Sequence, residues 1–543
     1  MANSPWEEGT PNRKICILAE APARNEIRMN QPLVGLSGML FNDCLHAANI
    51  VRAECYILNV FPYEVFKDKT DSKIFNREGD MLWSSRTGFT AFGLEEAKPT
   101  LKRLEKSQAN VIVPLGGVAL SLLFGDSRIM KWRGSILESK RLPGRKLVPT
   151  LHPAFSLRGN YTARYTIQAD LKRVREESST RQILLPKREL IIDPQFNEVI
   201  AFLNDMTRAR RVATDIEILN HQISCLSFAP RADLSMCIPM LDEGNRHRWT
   251  EEQEAQIWLL IAKVMGDEKI EKINQNILFD VAFEFEQNSV FTRGTTHCTM
   301  CLQHILYPDF PKGLDYICSI RTREPYYKDD GKIWQKPWID LDRFWTYNAK
   351  DSAVALEAFD DAYTEIEGYE WTYERTLALF RPLMFMMIKG IKVDRVRLKK
   401  TNEEIKKKIA ETEKTLRETA EWDFNPGSPK QCQEYFYVTK GIKPYVSSKT
   451  GSITCDDKAM ARIYKRYQLP EAKLVQEIRS LRKLHSSYLE VGIDSDDRIR
   501  CSYNPRGTST GRLSSSETVR GTGMNLQSLH AEFKDFLVAD DDD

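Results

Sequence analysis

Three short acidic stretches are the residues of this chain best suited to chemistry. They are Asp215-Ile216-Glu217, then Asn276 through Asp280, then Tyr347 through Asp351. They supply the carboxylates Asp215, Glu217, Asp280 and Asp351 and the phenol of Tyr347. Carboxylates gathered at one point repel one another unless cations sit between them. The usual arrangement is a pair of divalent metals roughly 3.5–4 Å apart, which clamp the attacking and leaving oxygens of a phosphoryl displacement. Oxygen-only ligands point to magnesium or manganese rather than zinc.

The elements that must position these groups follow from their spacing. Asp-x-Glu on a strand puts Asp215 and Glu217 on one face, because side chains alternate with period two. Asn276 and Asp280 are separated by one helical turn, as are Tyr347 and Asp351, so a helix would aim each pair in one direction. The tyrosine hydroxyl is suited to orienting an attacking water.

The rest of the chain reads as three segments: 1–180, 185–369 and 370–543. The first alternates short apolar runs (Ile15 to Ala19, Cys55 to Val60, Val111 to Leu115, Lys146 to Thr150) with amphipathic stretches, which predicts a parallel α/β sheet. A charged stretch from Lys172 to Arg181, then Leu184-Leu185-Pro186, marks a boundary. The second segment opens with a helix over Pro194 to Arg208 and a strand over Arg211 to Ile216. In the third, Leu398, Ile405, Ile409 and Leu416 form a narrow apolar stripe on a long helix rich in Lys and Glu. A second helix, from about Glu471 to Leu489, carries Lys473, Arg479, Arg482 and Lys483 as local positive charge. The most apolar later stretch, Leu377 to Ile388, holds Arg381 and is too short to span a bilayer, so it reads as a buried helix.

In order and context, Thr214 to Glu217, Gln275 to Asp280 and Tyr347 to Asp351 resemble the three motifs of the proofreading 3′–5′ exonuclease domain of family A DNA polymerases. The stretch from Thr299 to Asp315 resembles the helix and loop between the second and third motifs. The resemblance implies a ribonuclease H-like fold, two Mg²⁺ (or Mn²⁺) ions on Asp215, Glu217, Asp280 and Asp351, and Tyr347 orienting the nucleophilic water. Asn276 is expected to lie along the DNA strand.

The third segment resembles the thumb and the beginning of the palm of the same polymerases. Gly507 to Ser516 and Asn525 to Leu529 carry the match, with Lys389 to Asp394 and Phe424 to Gln431 upstream. Arg512 is implied near the primer terminus, with Asn525 and Gln527 close by, and lysines and arginines of the thumb helices on duplex phosphates. Phe536 to Asp540 aligns with the strand leading to the first palm aspartate, and Asp540 to Asp543 reads as a solvated acidic tail. The palm and fingers motifs are not in the sequence. Polymerisation is therefore not expected of this chain by itself; a second polypeptide carrying palm and fingers is one possible source of them, and a truncated frame is the other reading.

The first segment resembles the uracil-DNA glycosylase superfamily through Glu20-Ala21-Pro22, Pro32 to Gly38, Tyr56 to Val60 and Thr150 to Ala154. The resemblance implies that Asn59 reads the edge of a flipped base, that His152 stabilises the departing uracil, and that Glu20 assists water attack. Leu33 stands where the family has phenylalanine, and Ala19 and Ala23 replace motif glycines, which keeps the backbone further from a base. These departures leave the fold and put base excision in question; a DNA- or uracil-sensing module or a structural domain is the alternative reading of this segment. Cys16, Cys44 and Cys55 do not reproduce the cluster spacing of the similar thermophile members, so no iron–sulfur cluster is expected.

The net charge of +2 over 543 residues neither favours nor excludes nucleic acid, so any DNA-binding charge must be local. The polar start, Met1 to Pro11, shows no targeting segment, and eleven scattered cysteines suit a reducing, cytoplasmic setting. The run His297 to His304 holds two cysteines and two histidines, but all four cannot converge on one zinc from a helix; a buried helix is the simpler reading. The expected function is proofreading hydrolysis of 3′ ends in DNA replication, with single-stranded 3′ ends and primer–template as partners and no membrane. A uracil-excising repair protein and a non-catalytic DNA-binding polymerase subunit are the alternatives.

Overall fold

In the computed structural model, residues 4–65, 71–78, 85–331, 340–447 and 451–540 are described. The protein is mixed α/β and divides into two compact units, Met1–Ala378 and Leu379–Asp543.

Two six-stranded sheets organise the first unit. The first runs in the order Glu7–Glu8, Cys55–Asn59, Ile15–Ala19, Val111–Pro114, Lys146–Leu147, Leu137–Glu138. Its four middle strands are parallel and its two edge strands antiparallel. Ile15 and Ile17 enter one hydrophobic core, Cys16 and Leu18 the other. Both faces are therefore covered, which is why these strands read as continuous apolar runs rather than alternating ones.

The second sheet runs Thr296–Cys298, Glu271–Asn274, Arg211–Leu219, Gln222–Arg231, Leu234–Pro239, Glu189–Ile191. Its central three strands form an antiparallel meander, with parallel strands on both sides. Helix Leu341–Tyr363 packs across the meander. Asn348, Ala349, Ser352 and Ala353 are fully buried along it, and small side chains let it approach closely. Ser227 Oγ donates to the Asn348 carbonyl at 2.9 Å, and the Ser235 and Ser352 hydroxyls pair at 2.8 Å.

The two sheet domains share a polar seam. Arg133 pairs with Asp170, and its Nη1 donates to Ser319 Oγ at 2.6 Å. Arg173 Nη1 bridges the Gly134 carbonyl at 2.5 Å and the Ser319 carbonyl at 2.7 Å. Gly134 has φ +72° and no room for a side chain, since a Cβ would lie 2.6 Å from the Ser319 carbonyl oxygen. The charged stretch after Lys172 ends the helix Ala163–Glu177, whose Glu177 is buried against Lys146.

Helix Glu370–Ala378, at the head of the third segment in the sequence reading, is held to the first unit. Its Tyr373 hydroxyl accepts from the Cys298 N–H at 3.1 Å, and its ring stacks on His297. The run His297 to His304 is accordingly not one helix: His297 and Cys298 end a strand and only Thr299–Leu306 is helical.

In the second unit, helices Arg395–Ala420 and Pro470–Leu484 pack together, with Leu398 and Leu416 buried. The stretch read as a buried helix is only half covered: in Phe380–Lys389, Phe380, Leu383 and Met384 are buried while Phe385 and Met386 are exposed. No helix among the described residues is long and apolar enough to cross a membrane.

Candidate active site

Strand Arg211–Leu219 carries Asp215 and Glu217 on one face, with Ile216 buried on the other. The register with the neighbouring strand shifts immediately after Glu217. Such a bulge bends and twists the strand and re-aims the side chains beside it. Tyr347 and Asp351 project from one face of helix Leu341–Tyr363. Asp215, Glu217 and Asp351 each bring a carboxylate oxygen within 4.8 Å of the others.

Asp280 does not complete that group as the spacing argument expected. It is 5% exposed and accepts from the Ile216 N–H at 3.3 Å, between the two strand carboxylates. Three of the expected four ligands therefore converge, and the fourth stands beside them. Asn276 is the residue before helix Ile277–Asn288, at φ −158°. Its four-residue separation from Asp280 is thus not a helical face.

Several residues that sequence reasoning missed complete the centre. Asn348 Nδ2 donates to Asp215 Oδ2 at 3.0 Å. Tyr327 donates its hydroxyl to Asp351 Oδ1 at 2.7 Å, and Lys328 pairs with Asp351 Oδ2. The Lys328 ammonium also lies 4.5 Å from the centre of the Tyr347 ring. Asn274 donates to the Thr214 hydroxyl at 3.1 Å and supports Asp280. Gly331 makes room for Tyr347, because a Cβ there would stand 2.6 Å from its Cζ. Asn348 lies inside the Tyr347 to Asp351 stretch and could have been suspected; Tyr327 and Lys328 in an irregular segment, and Gly331 in the short 3₁₀ turn after it, carry no comparable signal.

The electrostatics follow from this crowding. Burial, then Asp351, Glu217 and Asp280, drives the Asp215 carboxyl well above its usual range. Glu217 is pushed up to about 8 by burial and by Asp351, against the opposing pull of Lys328. Burial raises Asp280 to about 7 although the Ile216 N–H favours its charged form. The Tyr347 hydroxyl is driven far up by burial and then by Asp351, Glu217 and Asp215, so it stays protonated. Such a set holds protons when metal-free and offers oxygen-only ligands to a hard cation.

In the glycosylase-like domain, Glu20 and His152 interact electrostatically, and burial lowers His152 below its ordinary range. His152 Nδ1 accepts from the Ala154 N–H at 3.2 Å. Asn59 is committed elsewhere: its Nδ2 donates to the Pro5 carbonyl at 2.9 Å, and its own carbonyl accepts from the Trp6 indole at 2.7 Å.

In the second unit, Arg512 and Gln527 are exposed. Asn525 Oδ1 accepts from Ser515 Oγ at 2.8 Å and from the Gln527 N–H at 2.9 Å, so it pins its own loop. Of the helix cations expected on phosphates, Arg479 is tied inward to the Pro426 and Cys455 carbonyls, and Arg482, partly exposed, pairs with Glu413. Asp540 is paired with Lys389 and Arg498 rather than standing as part of a solvated tail; 541–543 lie outside the described residues.

Comparison with known proteins places these segments. Residues 6–172 match the uracil DNA glycosylase superfamily and residues 395–533 match DNA polymerase family A. The DNA polymerase of Bacillus phage SP01 is 21% identical over 605 aligned positions, covering 94% of this chain and 62% of that protein. The type-4 uracil-DNA glycosylase of Thermotoga maritima is 29% identical over 28% of this chain and 70% of its own length. DNA polymerase I of Helicobacter pylori is 34% identical over 24% of this chain and 14% of its own. The chain thus spans less than two thirds of the length of the polymerases it resembles. In fold, it is similar to the POL domain of Pol1 from M. smegmatis, solved with DNA primer-template and dNTP, at TM-score 0.50 and 19% identity over 65% of this chain and 59% of that one. The chain therefore carries a DNA polymerase family A domain, preceded by a domain of the uracil DNA glycosylase superfamily.

Proposed function

We propose that the centre formed by Asp215, Glu217 and Asp351, with Asp280 beside it, hydrolyses the 3′-terminal phosphodiester of DNA and serves proofreading. The observation that carries the reading is the approach of three carboxylates to within 4.8 Å from a strand and a helix more than a hundred residues apart in sequence. The donor set fits two divalent ions, magnesium or manganese, held by Asp215, Glu217 and Asp351, with Asp280 available at the side. When bound, such ions lower the pKa of a water and offset the charge that develops on the phosphate.

The protein's own residues have distinct parts in this reading. Tyr347 keeps its proton and so orients the water through its hydroxyl rather than acting as a base. Asn348 fixes the Asp215 carboxylate, and Tyr327 with Lys328 fixes that of Asp351. The substrate is a single-stranded 3′ end, supplied by primer–template that the family A segment would bind through exposed residues such as Arg512 and Gln527.

The test is a DNA strand labelled at its 5′ end, incubated with the chain and Mg²⁺. The wild type should shorten it stepwise from the 3′ end, and Asp215→Ala should leave it intact. Undiminished digestion by Asp215→Ala would refute the assignment.

A further inference from the structure

One short stretch, Tyr326 to Asp329, touches both sheet domains of the first unit, its two middle residues on one and its two end residues on the other. Tyr327 and Lys328 turn inward and both engage the Asp351 carboxylate. Tyr326 and Asp329 turn to the glycosylase-superfamily domain. The Tyr326 N–H donates to Ser135 Oγ at 3.2 Å, and its ring meets the Trp132 indole edge-on at 5.7 Å between centroids. Asp329 forms an ion pair with Lys131, and Arg128 stands 4.0 Å away. The Lys131 ammonium lies over both rings, 4.6 Å from Trp132 and 4.9 Å from Tyr326. The Tyr326 hydroxyl closes the loop by donating to Asp329 at 3.1 Å.

This stretch has no regular secondary structure over Tyr326 to Lys328, so no backbone ladder fixes it. An irregular segment is held by whatever its side chains dock on. Here the contacts of Tyr326 and Asp329 belong to the other domain, and those of Tyr327 and Lys328 to the carboxylate centre. Just upstream, the seam of Arg133 and Arg173 on Ser319 fixes the helix Leu314–Arg321 that leads into it.

We infer that the glycosylase-superfamily domain braces the carboxylate centre: Lys131, Trp132 and Ser135 hold the Tyr326–Asp329 stretch so that Tyr327 and Lys328 orient Asp351. Lys131 and Trp132 are thus positioning residues for a centre they do not touch. The inference deepens the exonuclease reading and rests on it for the identity of the reaction. Partners that orient a metal ligand from behind typically contribute 10–100-fold to affinity or activity.

The experiment uses the full chain carrying Lys131→Ala, Trp132→Ala or Lys131→Arg. Two quantities are read: digestion of a 3′ end as a function of Mg²⁺, and Mg²⁺ binding by calorimetry without DNA. Melting curves at saturating Mg²⁺ confirm that each variant is folded. Lys131→Ala and Trp132→Ala should weaken Mg²⁺ binding and lower kcat by about tenfold, and Lys131→Arg should restore both. Folded alanine variants with wild-type Mg²⁺ binding and wild-type kcat would overturn the brace. The two readings fail separately. If the wild type digests no DNA while Lys131→Ala still weakens Mg²⁺ binding, the brace stands and the exonuclease assignment falls. If digestion requires Asp215 but ignores Lys131 and Trp132, the assignment stands and the brace falls.

Discussion

The side-chain amide of Asn348 holds the carboxylate of Asp215: Nδ2 lies 3.0 Å from Oδ2 and 3.3 Å from the Asp215 carbonyl oxygen. Asn348 is itself fully buried, and the Ser227 hydroxyl bonds its carbonyl. The helix that delivers Tyr347 and Asp351 is thereby keyed to the strand that delivers Asp215 and Glu217.

Removing that key should separate the two halves of the site. Asn348→Ala should cost about 1–3 kcal/mol of stability by leaving a buried partner unmatched, and lower 3′-end digestion by about tenfold. Urea melts and kcat against Mg²⁺ check this. Wild-type activity in the variant would mean that Asp215 needs no such support.

Protons and metal compete for the centre. Glu217 and Asp280, at about 8 and about 7, and Asp215, raised well above its usual range, bind protons in the metal-free fold well above the pH at which they would in the unfolded chain. Metal-free stability from these groups is therefore largest at low pH and is lost as pH rises through these values. Metal binding displaces the protons, so Mg²⁺ affinity should rise across the same window. The rise in melting temperature on adding Mg²⁺ should be larger at about pH 9 than at about pH 6, and should vanish in Asp215→Ala. An Mg²⁺ effect that is independent of pH would contradict the raised proton affinities.

One turn along the helix from Asp280, Glu284 is 1% exposed and neither of its carboxylate oxygens has a hydrogen-bond partner among the described residues. Burial, and then Asp280, raises it to about 8. A carboxyl raised in the fold stabilises it fully below the unfolded pKa, and that contribution is lost as pH climbs toward 8. Glu284→Gln should therefore gain stability over the wild type by a few kcal/mol near pH 9 and little near pH 5. Denaturation midpoints at the two pH values check it; a gain of equal size at both would count against the assignment.

How far the sequence revealed this arrangement depended on the kind of structure involved. Ile15–Ala19 and Val111–Pro114 were legible because strands buried on both faces must be apolar throughout. Asp215 with Glu217, and Tyr347 with Asp351, were legible because period two and one helical turn fix their directions. Asn276 was misread because the helix begins one residue after it. Tyr327 and Lys328 were invisible, since an irregular loop has no period and its contacts are all tertiary. Arg479 and Arg482 show the converse: charge is visible in sequence, but not whether it faces a phosphate, caps backbone carbonyls as Arg479 does, or pairs with a carboxylate as Arg482 does.

In the first domain, the Asn59 amide that would read a base edge donates to the Pro5 carbonyl. A uracil-containing single strand incubated with the chain should yield no alkali-labile sites. Strand cleavage after alkali that is abolished by Asn59→Ala would show that Pro5 leaves the pocket and that excision occurs.

The most direct test is a crystal structure of the chain grown with Mn²⁺, read by anomalous scattering. Manganese peaks between Asp215, Glu217 and Asp351, lost in Asp215→Ala, are the predicted result. Well-ordered carboxylates with no anomalous peak among them, at Mn²⁺ concentrations that support digestion, would contradict the claim that these side chains form a metal centre.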